Sequence, residues 1–125
     1  MLERYNETEQ IIQAAIEVHK QLGFGFVEQV YQEALEIEFS QNNIPYEREK
    51  HLVINYKGIQ LKKDFYADFV CFGDIIVELK AVSELQPEFT LQVLNYMKIM
   101  DSHIALLLNF GKSRIEIKRV VRDDI

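Results

Sequence analysis

Cysteine occurs once in this chain, at Cys71, which rules out an internal disulfide. Cys71 sits in an apolar run, and we read it as a core residue rather than a reactive or ligating thiol. The three histidines, His19, His51 and His103, have no partner histidine or cysteine at ligand spacing, which argues against a zinc site. A phosphate-cradling GxxxxGK loop, a GxGxxG and a GxSxG are all missing, leaving P-loop nucleotide hydrolysis and serine-hydrolase chemistry without support. No apolar run approaches the roughly 20 residues of a membrane span. The opening MLERYNETEQ lacks a signal-peptide core, so a cytoplasmic location is expected, with no membrane partner. Repeats and low-complexity tracts are also absent.

The rest of the composition is that of an ordinary globular protein, 48% hydrophobic and 27% charged over 125 residues. Residues 1–125 are expected to form one domain, large enough to bury a core without staples. The formal charge of -6 disfavours a phosphate-rich partner at first sight. Its distribution weakens that objection, because residues 1–40 hold eight acids and two bases while residues 41–125 hold twelve of each. Lys112, Arg114, Lys118, Arg119 and Arg122 form a basic stretch, either a solvated strand edge or a surface for a polyanion backbone.

Apolar spacing predicts a helix from Thr8 to Leu22, with Asn6 and Glu9 as a capping box and Gly23 ending it. A second helix runs to about Gln41, with Val30, Tyr31, Ala34, Leu35 and Phe39 inward, before residues 42–45 break it. Runs 51–58, 60–72 and 74–81 read as a three-strand meander, the first two strands joined at Lys57-Gly58. Pro87 opens a crossover helix through Phe89, Val93, Met97 and Met100. The continuously apolar HIALLLNF then reads as an interior strand parallel to DIIVELKA, and the alternating SRIEIKRVV closes the sheet. The expected fold class is α/β, a mixed β-sheet flanked by helices.

Two acids and a lysine interrupt the greasy strands FYADFVCF and DIIVELKA: Asp68, Glu78 and Lys80. Buried charges are costly unless paired or bound to a metal. A three-residue turn at Phe72-Gly73-Asp74 pairs Phe69 with Val77, Ala67 with Leu79 and Cys71 with Ile75 on one apolar face. The other face then sets Asp68 across from Glu78 and Tyr66 across from Lys80. Facing carboxylates repel, and a cation or the nearby Lys80 is the usual remedy.

Other residues could complete such a site. Glu28 leans inward at the start of the second helix, where it could join a metal site or complement the helix dipole. Gln92 and Tyr96 share a helix face and could position a phosphate or water, or form an interfacial hydrogen-bonding pair. His19 lies on an apolar helix face, as a hydrogen-bonded core histidine or a site neighbour.

The order of Glu28, Asp68, Glu78-x-Lys80 and Gln92 resembles the PD-(D/E)xK nuclease superfamily over nearly the whole chain. More narrowly, Gly25-x-x-Glu28-x-x-Tyr31, with AAIEVHKQLG before it and YADFV, VELKAV, QVLNYMK and LLNFG after it, looks like the GxxExxY protein family. Ala67 stands where the superfamily has a proline. The resemblance implies a restriction-endonuclease-like core and Mg²⁺-dependent hydrolysis of nucleic-acid phosphodiesters, DNA favoured over RNA, with Mn²⁺ a possible substitute. It also implies that Asp68, Glu78 and the backbone carbonyl of Leu79 hold the metal. Lys80 would orient or deprotonate water and contact substrate, Glu28 would add an outer carboxylate, and Gln92 with Tyr96 would hold substrate or the lysine. The alternatives are a catalytically inactive nuclease-like binding or regulatory module, and action on another phosphate-bearing small molecule. Without a separate recognition domain, specificity would need a homodimer, to which Phe24 and Phe26 could contribute, a partner protein, or a preference for nucleic-acid structure or ends.

Overall fold

The apolar and turn signals resolve into helices and strands in the computed structural model, which describes residues 4–122. Helices α1 (Tyr5–Leu22) and α2 (Glu28–Gln41) precede strand β1 (Tyr46–Leu52), a small hairpin of β2 (Asn55–Tyr56) and β3 (Ile59–Gln60), and strands β4 (Phe65–Cys71) and β5 (Ile75–Lys80). Helix α3 (Pro87–Met100) leads to β6 (Ile104–Asn109) and β7 (Glu116–Val121). The main sheet has the order β1-β4-β5-β6-β7, with β5 and β6 parallel and its other neighbours antiparallel. This is the expected mixed sheet, with the β5-α3-β6 crossover in place. No helix among the described residues is long and apolar enough to cross a membrane.

Each face of the sheet carries its own core. Phe69, Cys71, Ile75, Val77, Leu79, Leu106 and Leu108 pack with Ile11, Ala15, Tyr31, Leu35 and Phe39 of α1 and α2. Val70, Ile76, Ala105 and Leu107 pack with Val93, Tyr96 and Met97 of α3. Burial pushes the Cys71 thiol up to about 12, as suits a core cysteine.

Several local expectations are corrected. Helix α1 starts at Tyr5 with Arg4 as N-cap, so Asn6 lies inside the helix and makes no cap; Arg4 instead pairs with Glu7 and with Asp74 at the β4–β5 turn. Val30 faces outward, while Gln32 of the same helix is buried. The first meander strand begins at Tyr46 rather than at residue 51, and Lys57-Gly58 turns the separate β2–β3 hairpin. Ala67 packs with the α3 core rather than with Phe69 and Leu79, because β4 leaves its regular alternation at Asp68.

The exit of β5 is clamped to β6 by Asn109, whose side chain is buried and fully bonded. Its Oδ1 accepts from the N–H of Val82 and of Gly111, and its Nδ2 donates to the Val82 carbonyl and to Glu116. Gly111 permits this approach, since a Cβ there would lie 2.3 Å from the Val82 backbone N and O. Backbone cannot yield as a flexible side chain does, so Gly111→Ala should destabilise the protein by roughly 1–3 kcal/mol. Chemical denaturation measures this, and an unchanged midpoint would show that the two segments are not held so closely.

The basic stretch is largely tied to its own chain. The Lys112 carbonyl accepts from His19 Nε2 at 2.8 Å, Lys118 donates to Thr90 at 3.0 Å, Arg119 to Thr8 at 2.5 Å and Arg122 to the Met97 carbonyl at 2.9 Å. His19, tilted against Phe110 as well, thus serves as a hydrogen-bonded histidine joining α1 to the segment before β7.

Candidate functional site

The turn at Phe72-Gly73-Asp74 has the three residues that its sequence implies, with Phe72 and Gly73 at positive φ, and it sets Cys71 opposite Ile75, Val70 opposite Ile76 and Phe69 opposite Val77. Beyond Phe69 and Val77 the strands part, and side chains bridge the gap. The Asp68 N–H donates to Glu78 Oε2 at 2.6 Å, and the Leu79 N–H donates to Asp68 Oδ2 at 2.8 Å. Asp68 and Glu78 therefore meet as their register demands, but each carboxylate accepts from the other strand's backbone. The Leu79 N–H is turned toward β4, and in an extended strand the carbonyl of the same residue turns with it.

Parting of the strands also moves Tyr66. Rather than facing Lys80, it is exposed and stacks on His51 of β1 with ring centroids 4.9 Å apart. Lys80 lies over α3 instead, its Nζ 4.6 Å from the centroid of the Phe89 ring.

The other ladder of β4 is interrupted at the same place. Pairing with β1 runs from Tyr46–Cys71 to Arg48–Phe69, skips Glu49 and Asp68, and resumes at Lys50–Ala67. Glu49 has a left-handed backbone, φ 53°, which is strained for a non-glycine residue. Gln32 fills the break. Its Nε2 donates to Glu49 Oε2 at 2.6 Å and to the Asp68 carbonyl at 3.4 Å, and its Oε1 accepts from Arg48 at 3.4 Å.

Sequence reasoning missed Glu49 and Gln32. A signal was present, because Glu28, Gln32 and Glu36 recur every fourth residue and so share one face of α2. Glu36 at the far end of this stripe bonds Arg48 and Tyr46 of β1. Glu28 at the near end is half-buried and interacts electrostatically with Lys80, Asp68 and Glu78.

These acids disturb one another. Burial pushes the Asp68 carboxyl up to about 6, aided by the charges of Glu28 and Glu49 and opposed by the Leu79 N–H and by Lys80. Glu78, only 4% exposed, is raised well above the usual carboxylate range by burial and by Asp68, against its bond from the Asp68 N–H and the charge of Lys80. Glu28 is raised mainly by burial. The Tyr96 hydroxyl is raised as well, first by burial and then by the charges of Glu78 and Asp68, which puts Tyr96 within their field.

Gln92 and Tyr96 lie on one wall of a cleft of about 770 Å³ between α3 and the β1–β2 link. The site thus gathers Asp68, Glu78 and Lys80, with Glu28 and Tyr96 in electrostatic reach, and borders the cleft that holds Gln92. Among the described residues no group of three or more His, Cys, Asp and Glu side chains stands ready to hold a metal ion. The donor set nevertheless suits Mg²⁺, which takes one or two carboxylates and fills its shell with water and phosphate oxygens. Cation binding would also relieve the repulsion that raises Asp68 and Glu78.

A family model described as the PD-(D/E)XK nuclease superfamily matches residues 5–120. A solved structure described as the crystal structure of SSO0001 is similar in fold, with a TM-score of 0.60, 21% identity and coverage of 75% of this chain and 49% of that one. The chain spans about half the length of that protein. No curated protein matches.

Proposed function

Because the chain belongs to the PD-(D/E)XK nuclease superfamily, we propose that residues 1–125 act as one domain that hydrolyses nucleic-acid phosphodiesters with Mg²⁺, which Mn²⁺ can replace. The observation that carries this reading is the adjoining pair of half-buried Asp68 and buried Glu78, destabilised in its charged form, with Lys80 two residues beyond Glu78. Asp68, Glu78 and the Leu79 carbonyl would hold the metal. When bound, the metal supplies charge stabilisation to the attacked phosphate and its leaving oxygen.

The chain's own residues do the rest. Lys80, seated on Phe89, orients the attacking water and offsets part of the acids' charge. Glu28 adds an outer carboxylate from the start of α2, held in place by the fold of the preceding loop. That loop supports the narrower reading of a GxxExxY-type protein: the Tyr31 hydroxyl donates to the Gly23 carbonyl at 2.8 Å and accepts from the Phe26 N–H at 3.3 Å, while Gly25 has φ 117°. Gln92 and Tyr96 face the substrate side. DNA is the favoured substrate.

A purified sample incubated with DNA and RNA in Mg²⁺ and in Mn²⁺ tests the proposal. Metal-dependent cleavage is expected, at a rate well above that of Lys80→Ala. Equal background in both proteins would remove the catalytic claim.

A second reading, a nuclease-like fold used for binding or regulation, is favoured by the two bonds between carboxylate and backbone that bridge β4 and β5. In that case the acids act as strand connectors, and divalent metal leaves the melting temperature unchanged.

A further inference from the structure

The cleft beside the carboxylates has a chemistry that phosphodiester hydrolysis alone does not require. Its walls pair apolar and aromatic surface, from Phe65, Leu91 and Tyr96, with the side-chain amides of Asn55, Gln92 and Asn95. At about 770 Å³ it lies within the roughly 300–1,000 Å³ of sites that enclose a small organic ligand. Its two charged lining residues, Glu88 and Lys98, offset one another, so phosphate would gain little from such walls. A heteroaromatic ring with hydrogen-bonding edges would gain from both, because rings stack on aromatic faces and amides offer paired donors and acceptors.

The helix that forms this wall also seats Lys80. Phe89, Gln92 and Tyr96 follow one another at three- and four-residue spacing and so share a stripe of α3, with Lys80 above the first ring and the cleft beside the other two. Tyr96, which packs edge-on against Phe65 at 6.1 Å, therefore stands between the acids and the cleft.

A separate observation comes from the segment that continues the opposite wall. Residues 54–63, INYKGIQLKK, hold three lysines and no acid, in a chain whose net charge is -6. All of 55–63 is exposed, including Tyr56 at 59% and Ile59 at 68%, and Lys57 lies 5.5 Å from the Tyr56 ring centroid. Exposed aromatic surface interleaved with lysine fits a single nucleic-acid strand, whose bases stack while its phosphates meet cations.

We propose that this cleft takes an unpaired base of the substrate strand, with the β2–β3 hairpin holding the adjoining backbone, so that the protein acts on single-stranded or frayed nucleic acid rather than on continuous duplex. The inference rests on the nuclease reading for what happens to the strand, but not for how the strand is bound. A base paired within a duplex cannot enter the cleft without being unstacked, whereas an unpaired one can.

Binding without turnover separates the two ideas. Fluorescently labelled single strands, blunt duplexes and duplexes with a single-stranded overhang, each as DNA and as RNA, are titrated with the protein in EDTA, and cleavage of the same set is followed in Mg²⁺. Single strands and overhangs are expected to bind at least about fivefold more tightly than blunt duplex, the lower end of what one stacked base contributes. Leu91→Glu and Asn95→Glu, at exposed cleft positions, should remove that preference and keep the parent's thermal stability. Equal affinity for strand and duplex, or an unchanged preference in both variants, overturns the proposal even if cleavage is observed. Preference that vanishes in the variants, without any cleavage, upholds the cleft and removes the nuclease reading instead.

Discussion

Glu78→Gln should lower metal-dependent hydrolysis by a hundredfold or more while leaving the protein folded. Glutamine matches glutamate in shape and keeps an oxygen to accept the Asp68 N–H, so the bridge between β4 and β5 survives. What disappears is the charge that a cation needs. Loss of positioned metal or proton-transfer chemistry typically costs two to four orders of magnitude in rate. At neutral pH without metal the variant should also be more stable than the parent, because Glu78 is almost fully buried and its ionised form is disfavoured by the enclosure and by Asp68. Cleavage assays and denaturation curves on one preparation decide the matter. Activity near that of the parent would exclude Glu78 from the chemistry, and a strong loss of stability would assign it a structural role.

The second large effect concerns pH and metal together. Folded Asp68 keeps its proton to about pH 6, whereas an unfolded aspartate releases it near pH 4. Between those values the folded state binds more protons than the unfolded one, so stability falls as pH rises through the window and stays lower above it. Glu78, raised in the same direction, carries the fall to higher pH. In EDTA, Asp68→Asn should flatten this slope and gain on the order of 2 kcal/mol at pH 7.5. Addition of Mg²⁺ or Mn²⁺ at about a hundred times its dissociation constant should stabilise the parent by about 2.7 kcal/mol and the variant hardly at all. Differential scanning fluorimetry across pH, with and without metal, measures both. Parallel curves for parent and variant would count against a metal held by these acids.

The sequence made the centre of this site legible because Gly73 and the apolar partners of β4 and β5 admit one register. Phe69 opposite Val77 and Cys71 opposite Ile75 follow from keeping one face greasy, and Asp68 beside Glu78 follows with them. The parallel pairing of β5 with β6 was equally readable, since both strands are covered by helices on each face and carry few polar residues. Strand β1 was not. Its half-covered side chains include Arg48 and Lys50, and Arg48 finds its partners in the polar stripe of α2, so no apolar alternation marks the strand. With β1 unplaced, nothing in the sequence could set Glu49 opposite Asp68. Ala67 and Tyr66 depart from the simple register for a related reason: the alternation of β4 breaks at Asp68.

The β2–β3 hairpin pairs with itself and belongs to no ladder of the main sheet. Its turn at Lys57-Gly58 is therefore a natural insertion point, since lengthening a surface loop costs little and leaves the strands beneath it undisturbed. Loops of different length and composition could be exchanged there without shifting Asp68 or Glu78. On the proposed reading, substrate choice can thus be re-engineered at the hairpin while the carboxylate site stays constant.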